Sequence, residues 1–305
     1  MDVGTSLLKA SVSTPLDDAA RLVYADWLEE QGDVRGEWIR CEADMAGLAP
    51  FEDAYHERKA QREKLRGQID PDWLTELGYV SHYRPLFTKL PALRRQRWNL
   101  VKEFIETWHY PLLPSHGYHE AELLATQHRL GLLPAALLEW YSLCGKCPDI
   151  WKTHDCLHSP RELQMNTEGD HLIFYSENQG CELWGIRSQD LILEDPPVFE
   201  LNSGLVSSPT ISAFACQVLL HNSVLMEKSV LAMAYGFDEF LQHDVHKFIS
   251  CDLPQQYWVT SPLVFYEGKD LLIVTHGDLT LYLSARTEEA MNQLSEEFRE
   301  TLDIL

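Results

Sequence analysis

The spacing of apolar residues changes partway along the chain, and that change narrows the fold more than any other feature. Through Tyr141, apolar positions recur at helical spacing; beyond it, short apolar runs stand between turn residues. Leu172-Ile173-Phe174-Tyr175 and Cys181-Glu182-Leu183-Trp184-Gly185-Ile186 flank Glu177-Asn178-Gln179-Gly180, which reads as a hairpin. Pro197 to Leu201 reads as a further strand and Thr210 to Met226 as a buried helix. Leu263 to Tyr266, Leu271 to Val274 and Leu279 to Leu283 then read as strands, with Gly268, Gly277 and Asp278 in the turns. A last helix is expected from Thr287 to about Leu302, with Glu288 and Glu289 at its positive end. Helices followed by an antiparallel meander predict an α+β protein. At roughly 100 to 200 residues per domain, 305 residues imply two domains.

The first is expected to be all-helical. Thr14 can cap a helix, Pro15 suits its first turn, and Asp17 and Asp18 favour its positive end. Leu22, Val23, Trp27 and Leu28 recur at helical spacing until Gln31-Gly32-Asp33, where Gly32 is the expected left-handed cap. A second helix from about Arg35 carries Trp38, Ile39, Cys41 and Met45 inward. A third, from about Glu52 to Gln68, is charged almost throughout, and Pro71-Asp72-Trp73-Leu74 opens a closing turn. Arg21, Tyr24, Asp26 and Arg35 are expected to bond internally in preference to serving as a docking site. The string Asp17 to Asp33, with Arg21-Leu22-Val23-Tyr24-Ala25-Asp26-Trp27-Leu28 at its centre and Arg35-Gly36-Glu37-Trp38-Ile39-Arg40 after it, resembles the bacterial repeat-companion domain. The resemblance covers about residues 12–80 and implies a small helical module, at 1–82, with no established activity.

Residues 83–97 read as a linker. Arg84-Pro85, Leu90-Pro91 and Arg94-Arg95-Gln96-Arg97 combine prolines with positive charge. Between 58 and 97 ten basic residues stand against four acidic ones. No aromatic-rich nucleic-acid motif accompanies this patch. Attraction to an acidic second domain is its expected use.

Residues 98–305 form that second domain. Trp98 to Trp108 is amphipathic, with Leu100, Val101, Phe104, Ile105 and Trp108 inward. Pro111 and Pro114 interrupt it, His119-Glu120 opens a helix through Leu130, and Pro134 starts another carrying Leu137, Leu138, Trp140 and Tyr141. Three segments, Leu132 to Tyr141, Leu172 to Gly180 and Leu183-Trp184-Gly185-Ile186, together resemble the SUKH superfamily of cell-wall-assembly regulators and bacterial immunity proteins. The resemblance implies an antiparallel sheet packed by helices and a non-enzymatic protein-binding role, in bacterial members often toxin neutralisation. Immunity proteins of that type are this domain alone, and here a second module precedes it.

Charge bears on function independently. The formal net charge is −22. Residues 1–97 hold 14 basic and 17 acidic residues, while residues 98–305 hold 11 and 30, a net of −19. Such a chain repels phosphate backbones, which argues against nucleic acid as its partner. It suits a basic protein, including a nuclease toxin with a cationic cleft. Solubility alone is the competing account. Seven scattered cysteines form no disulfide framework and point to a reducing compartment. Met1-Asp2-Val3-Gly4 lacks the features of a leader peptide, and no apolar run approaches the ~18 residues of a membrane span. A cytoplasmic protein that does not engage membranes is expected.

The sequence contains no Gly-x-Ser-x-Gly elbow, phosphate loop or dinucleotide fingerprint. No catalytic residue and no cofactor are expected. The one chemical cluster is Cys144-Gly145-Lys146-Cys147 with His154-Asp155-Cys156-Leu157-His158. Cys144, Cys147, His154, Cys156 and His158 have zinc-ligand chemistry, but their spacing departs from knuckle patterns. Reduced core thiols are the preferred reading, and a zinc-dependent hydrolase is a secondary alternative. His116 with His119 and His243 with His246 also miss zincin spacing. For a partner surface the candidates are Glu177, Asn178, Gln179, Glu182 and Trp184, an aromatic anchor among acidic groups; alternatively the polar residues build the turn and Trp184 belongs to the core. The expected function is sequestration of a protein, foremost a toxin effector, with a regulatory or scaffold adaptor as the alternative.

Overall fold

The computed structural model describes residues 3–13, 18–49, 51–70, 73–74, 77, 85–152, 155–225, 230–235, 245, 248–251, 253, 256–258, 261–277 and 280–304. The chain divides into two compact units, Met1–Tyr83 and Arg84–Leu305. The α+β assignment holds: helices make the first unit, and helices with antiparallel sheets make the second.

In the first unit α1 (Val3–Ser13), α2 (Asp18–Glu30), α3 (Val34–Ala46) and α4 (Asp53–Arg66) follow one another. Helix α1 lies before Thr14, where the sequence pattern predicts the first helix to begin; Thr14 itself is outside the described residues, as are Pro15, Pro71 and Asp72. Gly32 stands at φ 70°, the left-handed turn that ends α2. Asp33 then caps α3 through the Arg35 N–H at 3.0 Å. Gly36 lets the two helices close: a Cβ there would lie 2.7 Å from the Ala25 carbonyl oxygen. Tyr24, Ala25 and Leu28 of α2 pack with Leu8, Trp38, Ile39, Cys41, Leu65, Trp73 and Leu74. Val23, counted with the apolar stripe, points outward at 54% exposure. Tyr24 and Arg35 bond internally: Trp73 Nε1 donates to Tyr24 Oη at 3.3 Å, and Arg35 pairs with Asp33. Arg40 spans Asp26 and Glu29.

The second unit begins earlier than the sequence reading placed it. Its first helix, α5, is Arg94–Trp108, so three arginines assigned to the linker form a helical turn. The prolines precede that turn and do not break it. Arg94 bonds Glu139 and Glu194, both at 2.8 Å. Arg97 reaches Thr210 at 2.8 Å, Ser212 at 3.1 Å and the Pro91 carbonyl at 2.7 Å. Upstream, Leu86 and Phe87 are buried. Helices α6 (Glu120–Leu130), α7 (Ala135–Cys144) and α8 (Pro148–Trp151) follow. His119 and Glu122 form a reciprocal cap at the start of α6, the His119 N–H donating to Glu122 Oε2 at 3.0 Å.

The first sheet comprises β1 (Cys156–Leu157), β2 (Gln164–Met165), β3 (His171–Ser176), β4 (Leu183–Arg187), β5 (Val198–Glu200) and β6 (Val206–Ser208). Its order is β1-β3-β4-β5-β6, with β2 also beside β3. After α9 (Ile211–Val224) comes a second sheet: β7 (Val230–Tyr235), β8 (Ile249–Ser250), β9 (Gln256–Trp258), β10 (Ser261–Gly268), β11 (Leu271–His276), β12 (Thr280–Ala285) and β13 (Asp303–Ile304). Here the order is β13-β7-β12-β11-β10-β8, with β9 also on β10. The described strands therefore build two antiparallel sheets where one was expected.

Every residue of α9 is buried. Its apolar residues fall on every side, with Gln217, His221 and Asn222 buried among them, so the helix has to be enclosed on all sides. Its Phe214 ring meets Trp140, Phe174, Tyr175 and Trp184 at centroid distances of 5.4 to 6.5 Å. His221 approaches His276 of β11 at 5.3 Å, so α9 touches both sheets. The expected last helix is divided: a 3₁₀ turn (Glu288–Gln293) and α10 (Glu296–Glu300) flank an extended Leu294, because Ser295 caps α10 afresh through the Phe298 N–H.

Candidate functional site

Pairing of β1 with β3 joins two stretches that lie far apart in the sequence, the Cys/His segment and the Glu177 hairpin. Cys156 sits opposite Ser176, and the His158 N–H donates to the Phe174 carbonyl at 2.9 Å. His158 Nε2 lies 3.0 Å from Ser176 Oγ. One residue before the strand, the fully buried Asp155 accepts the Asn178 backbone N–H at 3.0 Å. The edge of the first sheet thus carries both sequence candidates.

The five hairpin residues separate into two groups. Trp184 is fully buried, its Nε1–H donating to Ser207 Oγ at 3.1 Å. Glu182 is 3% exposed and accepts the N–H groups of Leu183 and Asn202 at 2.9 and 3.0 Å. These two therefore hold the fold, because a partner would reach them only after the hairpin opened. They are corrected from surface anchors to core. Trp184 and Ile186, two residues apart on β4, are both fully buried and share one face of the strand. Glu177 builds the turn, its Oε2 accepting from Gln179 at 2.8 Å and Cys181 at 3.0 Å. Gly180 completes the turn at φ 74°. Asn178 and Gln179 are exposed at the tip.

The thiols do not gather. Cys144 and Cys147 are fully buried, Cys144 Sγ facing the Trp140 carbonyl at 3.9 Å. Burial pushes the Cys144 thiol well above its ordinary pKa and also raises those of Cys147 and Cys156. Thiols held protonated by burial are poor nucleophiles. Among the described residues no three His, Cys, Asp or Glu side chains are placed to share a metal ion. His154, His243 and His246 lie outside those residues. His116 accepts the Leu113 N–H through Nδ1 at 3.1 Å.

Beside the edge strand is an open cleft of about 460 Å³ lined by Arg129, Cys156, His158, Arg161, Glu162, Leu163, Gln164 and Ser176. Arg129 is fixed by its donations to the carbonyls of Leu163 and Pro160, both at 2.8 Å. Burial lowers the His158 pKa, so the imidazole is neutral at neutral pH. The His158 imidazole and the Ser176 hydroxyl share a hydrogen bond, and with Arg129, Arg161 and Gln164 around them the cleft is rich in hydrogen-bond donors. Sequence reasoning missed Arg129, Arg161 and Ser176, because only the β1–β3 pairing brings them around His158. It also missed Glu267, 5% exposed on β10, whose carboxylate accepts the N–H groups of Leu86 at 2.9 Å and Phe87 at 3.1 Å.

No protein-family model matches the chain, and neither a curated protein nor a solved structure matches it. No helix among the described residues is long and apolar enough to cross a membrane.

Proposed function

We propose that this chain is a non-enzymatic cytoplasmic protein of the SUKH type, whose acidic second domain sequesters a basic protein partner, foremost a toxin. The observation that carries this reading is how the domain spends its few cations. Arg94 and Arg97 are held by Glu139, Glu194 and Asp195. Lys146 is paired with Glu122, Lys152 with Glu162 and Arg286 with Asp270. Arg187 lies 3.8 Å over the Phe199 ring. With these cations occupied locally, carboxylates such as Glu120, Glu168, Glu288, Glu289, Glu297 and Glu300 dominate the exposed surface. A field of one sign speeds encounter with a basic protein from about 10⁵–10⁶ to as much as 10⁸–10⁹ M⁻¹s⁻¹ at low salt and disfavours acidic competitors. Of the hairpin candidates, Asn178 and Gln179 are the exposed residues a partner can reach.

The test is capture of partners by the purified full chain from lysate of its native host, with elution by rising salt. Expected is a basic protein released by salt, growth-inhibitory when expressed alone and harmless when co-expressed with this chain. A salt-resistant partner without toxicity would transfer the assignment to a regulatory adaptor.

A further inference from the structure

The cleft beside β1 is opposite in character to the domain around it. Among the described residues, Arg129 and Arg161 form no ion pair at hydrogen-bonding distance, although carboxylates far outnumber cations in this domain. Glu122, its pKa lowered chiefly by the Lys146 hydrogen bond, also feels Arg161 at longer range. Arg129 is satisfied on one side by carbonyl oxygens at 2.8 Å, which fixes its position without neutralising it and leaves guanidinium N–H groups to spare. Two carboxylates are near, Glu162 on the cleft wall and Glu122 within electrostatic range of Arg161, and each already accepts other donors. Glu162 Oε2 accepts the Ser159 N–H at 2.7 Å and lies 3.9 Å from Lys152 Nζ. Glu122 Oε2 accepts from Lys146 Nζ at 2.8 Å and from the His119 N–H at 3.0 Å.

The imidazole adds a neutral donor. His158 Nδ1 is buried without a partner. An unmade N–H costs more than an unused lone pair, which favours the tautomer with its proton on Nε2. That proton goes to Ser176 Oγ, 3.0 Å away, and the serine hydroxyl is then free to donate into the cleft. Gln164 contributes an amide on the same wall.

We infer that this cleft is a binding site for a phosphate group, borne by a small phosphomonoester or present as free phosphate. Two guanidinium groups, a hydroxyl and an amide supply more donors than a carboxylate's two oxygens accept, and they match the several faces of a phosphate. The volume lies in the range of small-molecule sites. This site does not depend on the toxin-binding reading, since a basic protein and a phosphate are recognised by opposite charges.

The experiment is NMR or calorimetric titration of the full chain at constant ionic strength with inorganic phosphate, ribose 5-phosphate and acetate. Expected is saturable binding of phosphate or the ester, weakened at least tenfold in Arg161→Gln and in Ser176→Ala, with acetate at least tenfold weaker than phosphate. Arg161 is exposed, so that variant folds as the parent does. Tighter binding of the ester identifies a phosphorylated small molecule as the ligand; equal binding identifies free phosphate. Absence of saturation with both, indifference to Arg161→Gln, or acetate binding as tightly as phosphate overturns the assignment.

Discussion

Asp155 Oδ1 accepts the Asn178 N–H at 3.0 Å, tying the start of β1 to the hairpin tip through a carboxylate with no solvent exposure. Its second oxygen is buried without a partner, and burial pushes its pKa up to about 7, with Glu177 adding repulsion. An unfolded aspartate titrates near ~3.9. Between about pH 4 and 7 the folded chain holds a proton that the unfolded chain has lost, so stability falls as pH rises and levels off above 7. Asp155→Asn keeps an acceptor for Asn178 and removes this dependence. Its melting temperature relative to the parent should therefore climb from pH 5 to pH 8. A constant difference across that range would refute the account.

Glu267 titrates in the same direction, raised by burial to about 7, and holds two backbone donors. Glu267→Ala leaves the Leu86 and Phe87 N–H groups buried and unpaired, each costing about 1–3 kcal/mol. Hydrogen exchange at those two amides should accelerate more than at β11. Equal acceleration everywhere would mean global destabilisation only.

Trp184→Ala should cost about 3–5 kcal/mol in denaturant unfolding. Gln179→Ala should lie within roughly 0.5 kcal/mol of the parent. If the two variants exchanged rank, the inward orientation of β4 would be wrong.

A zinc chelator should leave the melting temperature unchanged, because among the described residues no three His, Cys, Asp or Glu side chains are placed to share a metal ion. A fall of several degrees, reversed by added zinc, would reinstate a metal site.

Much of the architecture was legible where periodicity and punctuation agreed. The β3–β4 hairpin, the opening of α6 after His119, the start of α9 after Thr210 and the turn at Gly32 all follow from local chemistry. What local pattern does not encode is partnership. Trp184 alternates as a strand residue should, but nothing in the sequence states which face meets Phe214. Arg94 and Arg97 looked like a linker because their carboxylate partners Glu139, Glu194 and Asp195 are remote in sequence. Arg161 and Ser176 gained significance only once β1 lay against β3.

The enclosure of α9 also governs how the second unit reaches its native state. The residues that cover this helix come from both before and after it, including Trp140, Phe174 and Trp184 on one side of the sequence and His276 on the other. On the ribosome, the chain up to residue 210 presents those aromatic rings to water with nothing to occupy the space between them. Even after α9 emerges it waits for β11. Such long-range dependence delays folding and extends the interval of aggregation risk. A fragment cut on either side of α9 would therefore precipitate, while the two fragments synthesised together could rescue each other.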